Sequence, residues 1–175
     1  MMTLDAFIEA LIASVRTPFL TSLFSVFTFL GGWFIFILAL AAVIHLLLIK
    51  QSRKAYLFAA GIIAGQIIEF LLKNIFQRAR PLEALSSLPD YSFPSGHAMR
   101  SVLLFGFFYY SYRDLFKARG KRIILIIAIM LILLVGISRA YLGVHWLSDV
   151  LGGYALGGIL LALVILLDKK CFRNS

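Results

Sequence analysis

Charged residues and cysteine are both scarce in this chain of 175 residues, and each scarcity excludes a class of protein. Only 14% of the residues are charged, whereas charged residues make up about 25% of an ordinary soluble domain. Apolar residues reach 62%. A core of this size cannot bury so much apolar surface, so lipid is expected to cover the rest. The single cysteine, Cys171, excludes an internal disulfide and a cysteine-based metal site.

Two further patterns are missing from the sequence. The N-terminus lacks a cationic start followed by a cleavage site, so no signal peptide is predicted. The net charge of +9 would suit nucleic acid, but Lys and Arg form no basic stripe interleaved with aromatic residues. They stand instead in short clusters between long apolar runs, which is typical of membrane loops. Membrane lipids rather than nucleic acid are therefore the expected partners.

Five segments of the chain approach or exceed the length of a membrane-spanning helix, which needs about 20 mainly apolar residues. The predicted spans are residues 22–49, 55–72, 97–112, 123–137 and 145–167. The third is short and contains Arg100. The sequence therefore predicts an all-α integral membrane protein with a bundle of about five transmembrane helices.

The first residues of the chain follow a different pattern. Their apolar side chains recur at helical spacing, while Asp5 and Glu9 lie off the apolar stripe. This pattern is typical of an amphipathic helix lying in the membrane interface, although it does not by itself exclude a spanning segment. We therefore predict one membrane-embedded domain over residues 1–175, with an interfacial helix at 1–18 and the transmembrane bundle at 19–175.

The charged loops orient the bundle, because loops rich in Lys and Arg stay on the cytoplasmic side. One end of the predicted bundle collects Lys50, Arg53, Lys54, Arg113, Lys117, Arg119, Lys121, Arg122, Lys169, Lys170 and Arg173. The opposite, extracytoplasmic end carries Asp5, Glu9, Glu83 and Asp90, together with Lys73, Arg78, Arg80 and Arg139. The four cations at this end run against the rule, so a functional reason for them is expected.

The first candidate motif runs from Lys73 to Arg80 and Pro81. Lys73 and Arg80 are seven residues apart, near two helical turns, so they are expected to share one face of a helix. Pro81 is expected to end or redirect that helix. Two cations that converge at a membrane surface suit a phosphate group, which accepts hydrogen bonds from several sides.

The second candidate motif is Phe93-Pro94-Ser95-Gly96-His97, which leads into the third predicted span. Gly96 allows a close approach to the backbone that a Cβ atom would block. The start of the following helix offers free N–H groups and a favourable dipole to an anion. The Ser95 hydroxyl adds a further polar group, and His97 is placed for proton transfer.

The third candidate motif contains Arg139, His145 and Asp149. His145 and Asp149 have the i, i+4 spacing of a helix, so their side chains can meet. A carboxylate on one ring nitrogen fixes the histidine tautomer and leaves the other nitrogen free to attack. Asp149 lies in an apolar run, where an ionisable group indicates function. Arg139 adds a third cation.

Two charged residues beside these motifs leave alternatives open. Glu69 precedes Lys73 by four residues and can either steer Lys73 toward a phosphate or simply pair with its charge. Arg100 follows His97 by three residues on the same helical face. It can either bind an anionic headgroup or pair with an acidic residue inside the bundle.

Together the three motifs, Lys73-x6-Arg80-Pro81, Pro94-Ser95-Gly96-His97 and Ser138-Arg139-x5-His145-x3-Asp149, resemble the signature of the type-2 phosphatidic acid phosphatase superfamily. The resemblance covers residues 73–149 and implies an enzyme that hydrolyses lipid phosphates. It implies that His145 is the nucleophile that forms a phosphohistidine and that Asp149 orients it. His97 resembles the acid that protonates the leaving oxygen and then activates water. The implied phosphate cradle consists of Lys73, Arg80, Ser95, Gly96 and Arg139.

The resemblance also implies that no metal and no other cofactor is needed. The sequence agrees, because Glu83 and Asp90 are the only acidic loop residues nearby and are too few for a two-metal site. The expected partner is a phosphorylated lipid: phosphatidylglycerophosphate, phosphatidic acid, undecaprenyl pyrophosphate or the lipid A 1-phosphate. The short chain favours a bacterial inner-membrane enzyme with its active site outside the cytoplasm. The alternatives are a transporter or flippase that binds lipid phosphate without cleaving it, and a vanadium haloperoxidase.

Overall fold

A computed structural model of the chain describes residues 3–82, 84–85 and 89–172, with side chains up to Lys170. The helices are α1 (Leu4–Ser14), α2 (Pro18–Gly31), α3 (Trp33–Leu48), α4 (Ser52–Phe76), α5 (Gly96–Tyr112), α6 (Ala118–Tyr141) and α7 (Leu147–Phe172), with a turn of 3-10 helix at Arg113–Leu115. The predicted all-α architecture is therefore confirmed. Glu83, Arg173 and the side chain of Cys171 lie outside the described part of the chain.

The short helix α1 and the first long helix are separated by a capped turn. Thr3 caps α1 by accepting a hydrogen bond from the N–H of Ala6, and Thr17 caps α2, which has Pro18 in its first turn. The N–H of Thr17 donates to the hydroxyl of Tyr141 at 3.0 Å, which ties the turn to the end of α6. Helix α1 therefore lies against the end of the bundle where α6 finishes and α7 begins.

Three helices, α4, α6 and α7, are each long and apolar enough to cross a membrane. Helices α2 and α3 qualify only as a pair, bent by 41° at Gly32. The predicted first span over residues 22–49 is therefore not one continuous helix. Next to the break, the lack of a Cβ atom on Gly31 lets the backbone approach His97 closely, because such an atom would lie 3.0 Å from that ring. Helix α5 has 17 residues and falls short, so the described residues provide three or four candidate spans, and the predicted count of five is not shown.

Helix α5 forms the centre of the bundle. It contacts α2, α3, α4, α6 and α7, and its buried side chains include Leu103, Leu104 and Phe107. The ring of Phe107 stacks on Phe58 of α4 with 4.3 Å between centroids. The outer helices leave large apolar side chains such as Trp33 exposed, which is expected where lipid replaces water.

Helices α4 to α7 alternate in direction, and this alternation separates the two ends of the bundle. The C-terminal ends of α4 and α6 meet the N-terminal ends of α5 and α7 beside α1. The three sequence motifs all lie at this end. The basic loops between α3 and α4 and between α5 and α6 lie at the other end.

Close packing of α5 on α7 depends on Gly153. A Cβ atom here would collide with the carbonyl oxygen of Ser95 and lie 3.0 Å from the Cβ atom of Ala98. Gly153→Ala should therefore lower the free energy of unfolding by about 1–3 kcal/mol, the usual cost of overpacking. We expect a lower Tm in detergent together with lower activity, since Ser95 belongs to the second motif.

Gly158→Ala is the matched control for this substitution. Gly158 lies on the same helix, and a Cβ atom there would meet nothing within 4 Å. Because alanine favours a helix over glycine by up to about 1 kcal/mol, the control should keep or raise the Tm. Equal Tm values for the two variants would contradict the packing argument.

Candidate active site

Helix α4 ends at Phe76, well before Pro81, and Gln77 follows in a left-handed conformation with φ 44°. The prediction that Lys73 and Arg80 share one helical face is therefore wrong. Lys73 lies in the last turn of α4, whereas Arg80 lies in the loop that follows. Pro81 does not end the helix.

The two cations nevertheless converge on one anion, the carboxylate of Asp90. Lys73 Nζ donates a hydrogen bond to Asp90 Oδ2, and Arg80 Nη2 donates one to Oδ1 at 2.6 Å. Burial raises the pKa of Asp90, but the hydrogen bonds from Lys73 and Arg80 outweigh that effect and lower the pKa to about 2. Lys73 and Arg80 thus bind an anion through two separate oxygens, and a phosphate can be bound in the same way.

His145 lies in the turn between α6 and α7, before α7 begins at Leu147. The prediction that His145 and Asp149 lie on one helix is therefore wrong. Their side chains still approach each other, with Nδ1 of His145 3.6 Å from Asp149 Oδ2. Arg80 Nη1 lies 3.3 Å from Nε2 of the same ring. An arginine only donates, so a hydrogen bond at this contact makes Nε2 the acceptor and places the ring proton on Nδ1, on the side of Asp149. In that tautomer Nε2 carries the lone pair, which can attack phosphorus once Arg80 releases the ring and donates to the phosphate instead.

Asp149 is fully buried, and both of its oxygens are held. Oδ2 accepts a hydrogen bond of 2.9 Å from the N–H of Trp146, the carboxylate half of a capping box at the start of α7. Oδ1 accepts one of 2.6 Å from Arg78 Nη1. The sequence marks Arg78 only as a cation at the predicted extracytoplasmic end, because its loop has no periodicity that could direct it toward Asp149.

The second motif begins α5 at Gly96, with Ser95 as its N-cap residue. The N–H of Ser95 donates to the carbonyl oxygen of Asp149 at 3.0 Å, which joins the second and third motifs. The Ser95 hydroxyl is buried and has no hydrogen-bond partner among the described residues. A Cβ atom on Gly96 would collide with the carboxylate of Glu69. The group that closely approaches the backbone of Gly96 is therefore the side chain of Glu69.

Glu69 is buried and binds two cations. It accepts a hydrogen bond of 2.6 Å from Arg100 and forms an ion pair of 3.2 Å with Lys73. Arg100 also donates to Gln66 at 2.6 Å and lies 3.5 Å from Nδ1 of His97. For both Glu69 and Arg100, the sequence left charge pairing as one of two alternatives. The structure shows these pairs, Glu69 with Lys73 and Arg100 with Glu69. Gln66 was not predicted, since nothing in the apolar run around it marks it.

Arg139 lies in a cavity of about 380 Å³ beside the break between α2 and α3. The lining residues are Gly32, Trp33, Phe36, Gln66, His97, Arg100 and Arg139. Arg139 Nη1 donates to Thr28 at 2.6 Å, while its buried Nε has no partner among the described residues. The cavity therefore combines two guanidinium groups and an imidazole with aromatic walls, as a site for an anionic headgroup requires.

The structure brings the predicted site residues together at one end of the bundle. One chain of contacts runs through His145, Arg80, Asp90, Lys73, Glu69, Arg100 and His97. Arg139 shares a cavity with His97, and Ser95 touches Asp149. An arrangement of four cations, two histidines and two buried carboxylates can bind a phosphate and transfer it to nitrogen.

A comparison with known families agrees with this chemistry. The family model described as PAP2 superfamily matches residues 54–173, more than half of the chain. The chain belongs to the PAP2 superfamily. It is therefore an integral membrane lipid phosphatase of a metal-independent hydrolase family, and the transporter alternative is set aside.

Relatives of this PAP2 protein cover most of its length. It is 34% identical over 164 residues to phosphatidylglycerophosphatase B of Bacillus subtilis (strain 168), spanning 91% of this chain and 80% of the relative. It is 31% identical over 120 residues to undecaprenyl-diphosphatase of Sulfolobus acidocaldarius, spanning 64% of this chain and 54% of the relative.

Two crystal structures share the fold of this PAP2 protein. The transmembrane PAP2 type phosphatidylglycerolphosphate phosphatase from Bacillus subtilis superimposes with a TM-score of 0.88 at 31% identity, covering 95% of this chain and 85% of that one. Aquifex aeolicus LpxE superimposes with a TM-score of 0.75 at 24% identity, covering 93% and 95% of the two chains. The second likeness bears on the fold alone.

Proposed function

We propose that the protein hydrolyses a lipid phosphate through a phosphohistidine formed on Nε2 of His145. The contact between Arg80 Nη1 and that nitrogen, at 3.3 Å, carries the proposal. As a hydrogen bond it fits the tautomer in which Nε2 carries no proton, and Nη2 of the same arginine donates to the anion Asp90 at 2.6 Å. Nucleophile and anion site are therefore adjacent.

The proposed reaction has two steps that balance in bonds and protons. First, the Nε2 lone pair of His145 forms a bond to phosphorus while the bond from phosphorus to the lipid oxygen breaks. The departing oxygen keeps the electron pair and takes a proton from His97. Second, a water oxygen attacks phosphorus and gives its proton to His97, and the nitrogen–phosphorus bond breaks to return the lone pair to Nε2. Phosphate is released and both histidines are restored.

The phosphate cradle is proposed to consist of Lys73, Arg80, Ser95, Gly96 and Arg139. The Ser95 hydroxyl and Arg139 Nε support this choice, because both are among the buried polar atoms that find no partner within the described residues, and buried polar groups normally have one. The phosphate oxygens would compete with Asp90 for Lys73 and Arg80. Charge that develops on the transferring phosphoryl group is stabilised by these cations.

Phosphatidylglycerophosphate is the substrate that we propose first. The Bacillus subtilis relative named for this activity matches 91% of the chain, whereas the relative named for undecaprenyl diphosphate matches 64%. The test is phosphate release from a panel of lipid phosphates presented at equal surface concentration in detergent. We expect the highest kcat/KM for phosphatidylglycerophosphate. A preference of tenfold or more for the pyrophosphate would refute this substrate in favour of the second candidate.

We further propose that the protein lies in a bacterial inner membrane, with five spans and the active site outside the cytoplasm. Helix α5 would be the fifth span, short because its neighbours surround it. The basic loops lie at the end of the bundle opposite the three motifs, which supports this orientation under the positive-inside rule.

Cysteine labelling tests the orientation. Leu82 is 98% exposed beside the active site, and Lys117 is exposed in the loop before α6. With Cys171→Ser as background, a membrane-impermeant maleimide on intact cells should label Leu82→Cys but not Lys117→Cys. Permeabilised cells should give labelling at both positions. Labelling of Lys117→Cys in intact cells would overturn the proposed topology.

A further inference from the structure

Helix α1 reaches the active site through Asp5. Arg78 Nη2 donates to Asp5 Oδ2 at 2.6 Å, while Nη1 of the same guanidinium donates to Asp149 Oδ1 at 2.6 Å. Ser148 adds two hydrogen bonds to Asp5, one from its backbone N–H at 3.1 Å and one from its hydroxyl. Asp5, Arg78 and Asp149 therefore form a line of alternating charges that ends beside His145.

The charges in this line have a specific consequence for His145. When Nε2 bonds to phosphorus, the ring becomes positively charged, and the carboxylate of Asp149 stabilises that charge. Arg78 alone would weaken this stabilisation, because its positive charge partly neutralises the carboxylate of Asp149. Asp5 offsets this because it binds the opposite edge of the same guanidinium. Burial raises the pKa of Asp5, but hydrogen bonds from Ser148 and Arg78 outweigh that effect and lower it, so Asp5 is ionised at neutral pH.

We propose that Asp5 and Arg78 are positioning residues that act on His145 through Asp149, which makes α1 part of the catalytic apparatus. The inference rests on the proposed function, in which His145 is the nucleophile. Arg78 fixes the carboxylate of Asp149, and Asp5 fixes Arg78. A purely structural role for this network would instead anchor α1 to the bundle without changing the rate of phosphoryl transfer.

The test measures the burst rate and KM with nitrophenyl phosphate for Asp5→Asn in detergent. Loss of a hydrogen-bond partner one layer behind the reacting groups typically costs about 10- to 100-fold at metal sites, and we expect a similar fall in burst rate with KM unchanged. Glu9→Gln is the matched control, because Glu9 lies on the same helix with similar exposure but pairs with Arg16 at 3.4 Å. It should retain the wild-type burst rate.

A double-mutant cycle separates a positioning role of Asp5 from a role that only anchors α1. If Asp5 acts through Asp149, Asp5→Asn should slow the burst little further in an Asp149→Asn background. Additive losses, or an equal loss in Glu9→Gln, would overturn the inference. If Asp5→Asn does not fold, Arg78→Gln carries the same cycle with the same two outcomes. A wild-type burst in Asp5→Asn refutes only the inference, whereas a wild-type burst in His145→Ala refutes the proposed function.

Discussion

Replacing His145 with alanine should abolish phosphate release while the protein remains folded in detergent. In a serine protease, removal of the catalytic serine or histidine costs about 10⁶ in kcat and removal of the orienting aspartate about 10⁴. We expect the same ranking here, with Asp149→Asn less severe than His145→Ala. The asparagine keeps the shape of Asp149 but loses the charge that stabilises the phosphorylated ring. Initial rates of phosphate release from a lipid phosphate, with Tm as a folding check, give the measurement.

Two substitutions at the far end of the bundle are controls. Asp168→Asn places the same change at a buried aspartate of α7, where Asp168 accepts a hydrogen bond of 2.7 Å from Tyr110. His45→Ala removes a histidine of α3 whose ring lies 5.7 Å from that of Tyr112. Both variants should keep near wild-type turnover. Turnover near wild type in His145→Ala would rule out His145 as the nucleophile.

Replacing His97 with alanine should have an effect that depends on the leaving group. The alkoxide that departs from a lipid phosphate monoester is strongly basic and requires a proton, whereas nitrophenolate does not. General-acid catalysis is worth about 10²–10⁴ in rate where it is needed. His97→Ala should therefore slow phosphoryl transfer from an alkyl phosphate by about that factor and leave most of the burst rate with nitrophenyl phosphate. His145→Ala should eliminate the burst with both substrates.

Rapid-mixing burst kinetics are needed for this comparison. His97 is also proposed to activate water in the second step, so steady-state rates would fall with both substrates and conceal the contrast. His97 lines the cavity that contains Arg139, which fits the assignment. Arg100 approaches Nδ1 of its ring at 3.5 Å, so the proton that His97 transfers is proposed to be the one on Nε2. An equally slowed burst with both substrates would exclude His97 as the leaving-group acid.

The membrane class and the location of the site could be predicted because they depend on composition and residue type. Long apolar runs have few structural solutions in a lipid environment. Cations such as Lys73 and Arg80 at the predicted extracytoplasmic end stand out against the positive-inside rule. Their convergence on Asp90 does not depend on a shared helical face, so the two cations meet despite the error in the predicted helix boundary.

The end of α4 could not be predicted because Pro81 is the only strong local helix breaker in that segment. The left-handed Gln77 carries no side-chain signal of its own, and it is followed by Arg78, whose contacts with Asp5 and Asp149 are 73 and 71 residues away. Asp5 gives only the signal of a polar helical face. Such pairs depend on tertiary packing, which periodicity does not encode.

The bend between α2 and α3 has a local signal in the sequence. Gly31 and Gly32 form a glycine pair inside the first apolar run, and such pairs mark breaks. Hydropathy alone joins the two helices into one span. Their break matters to the site because both glycines pack near His97.

The central proposal is that phosphate passes through Nε2 of His145, and trapping that intermediate tests it most directly. His97→Ala should hydrolyse the phosphohistidine slowly, so reaction with nitrophenyl phosphate followed by an alkaline quench should accumulate it. We expect peptide mass spectrometry to find one acid-labile phosphate, located on His145. Phosphate on any other residue, or a stoichiometric burst of nitrophenolate with no phosphate bound to the protein, would contradict the proposed mechanism.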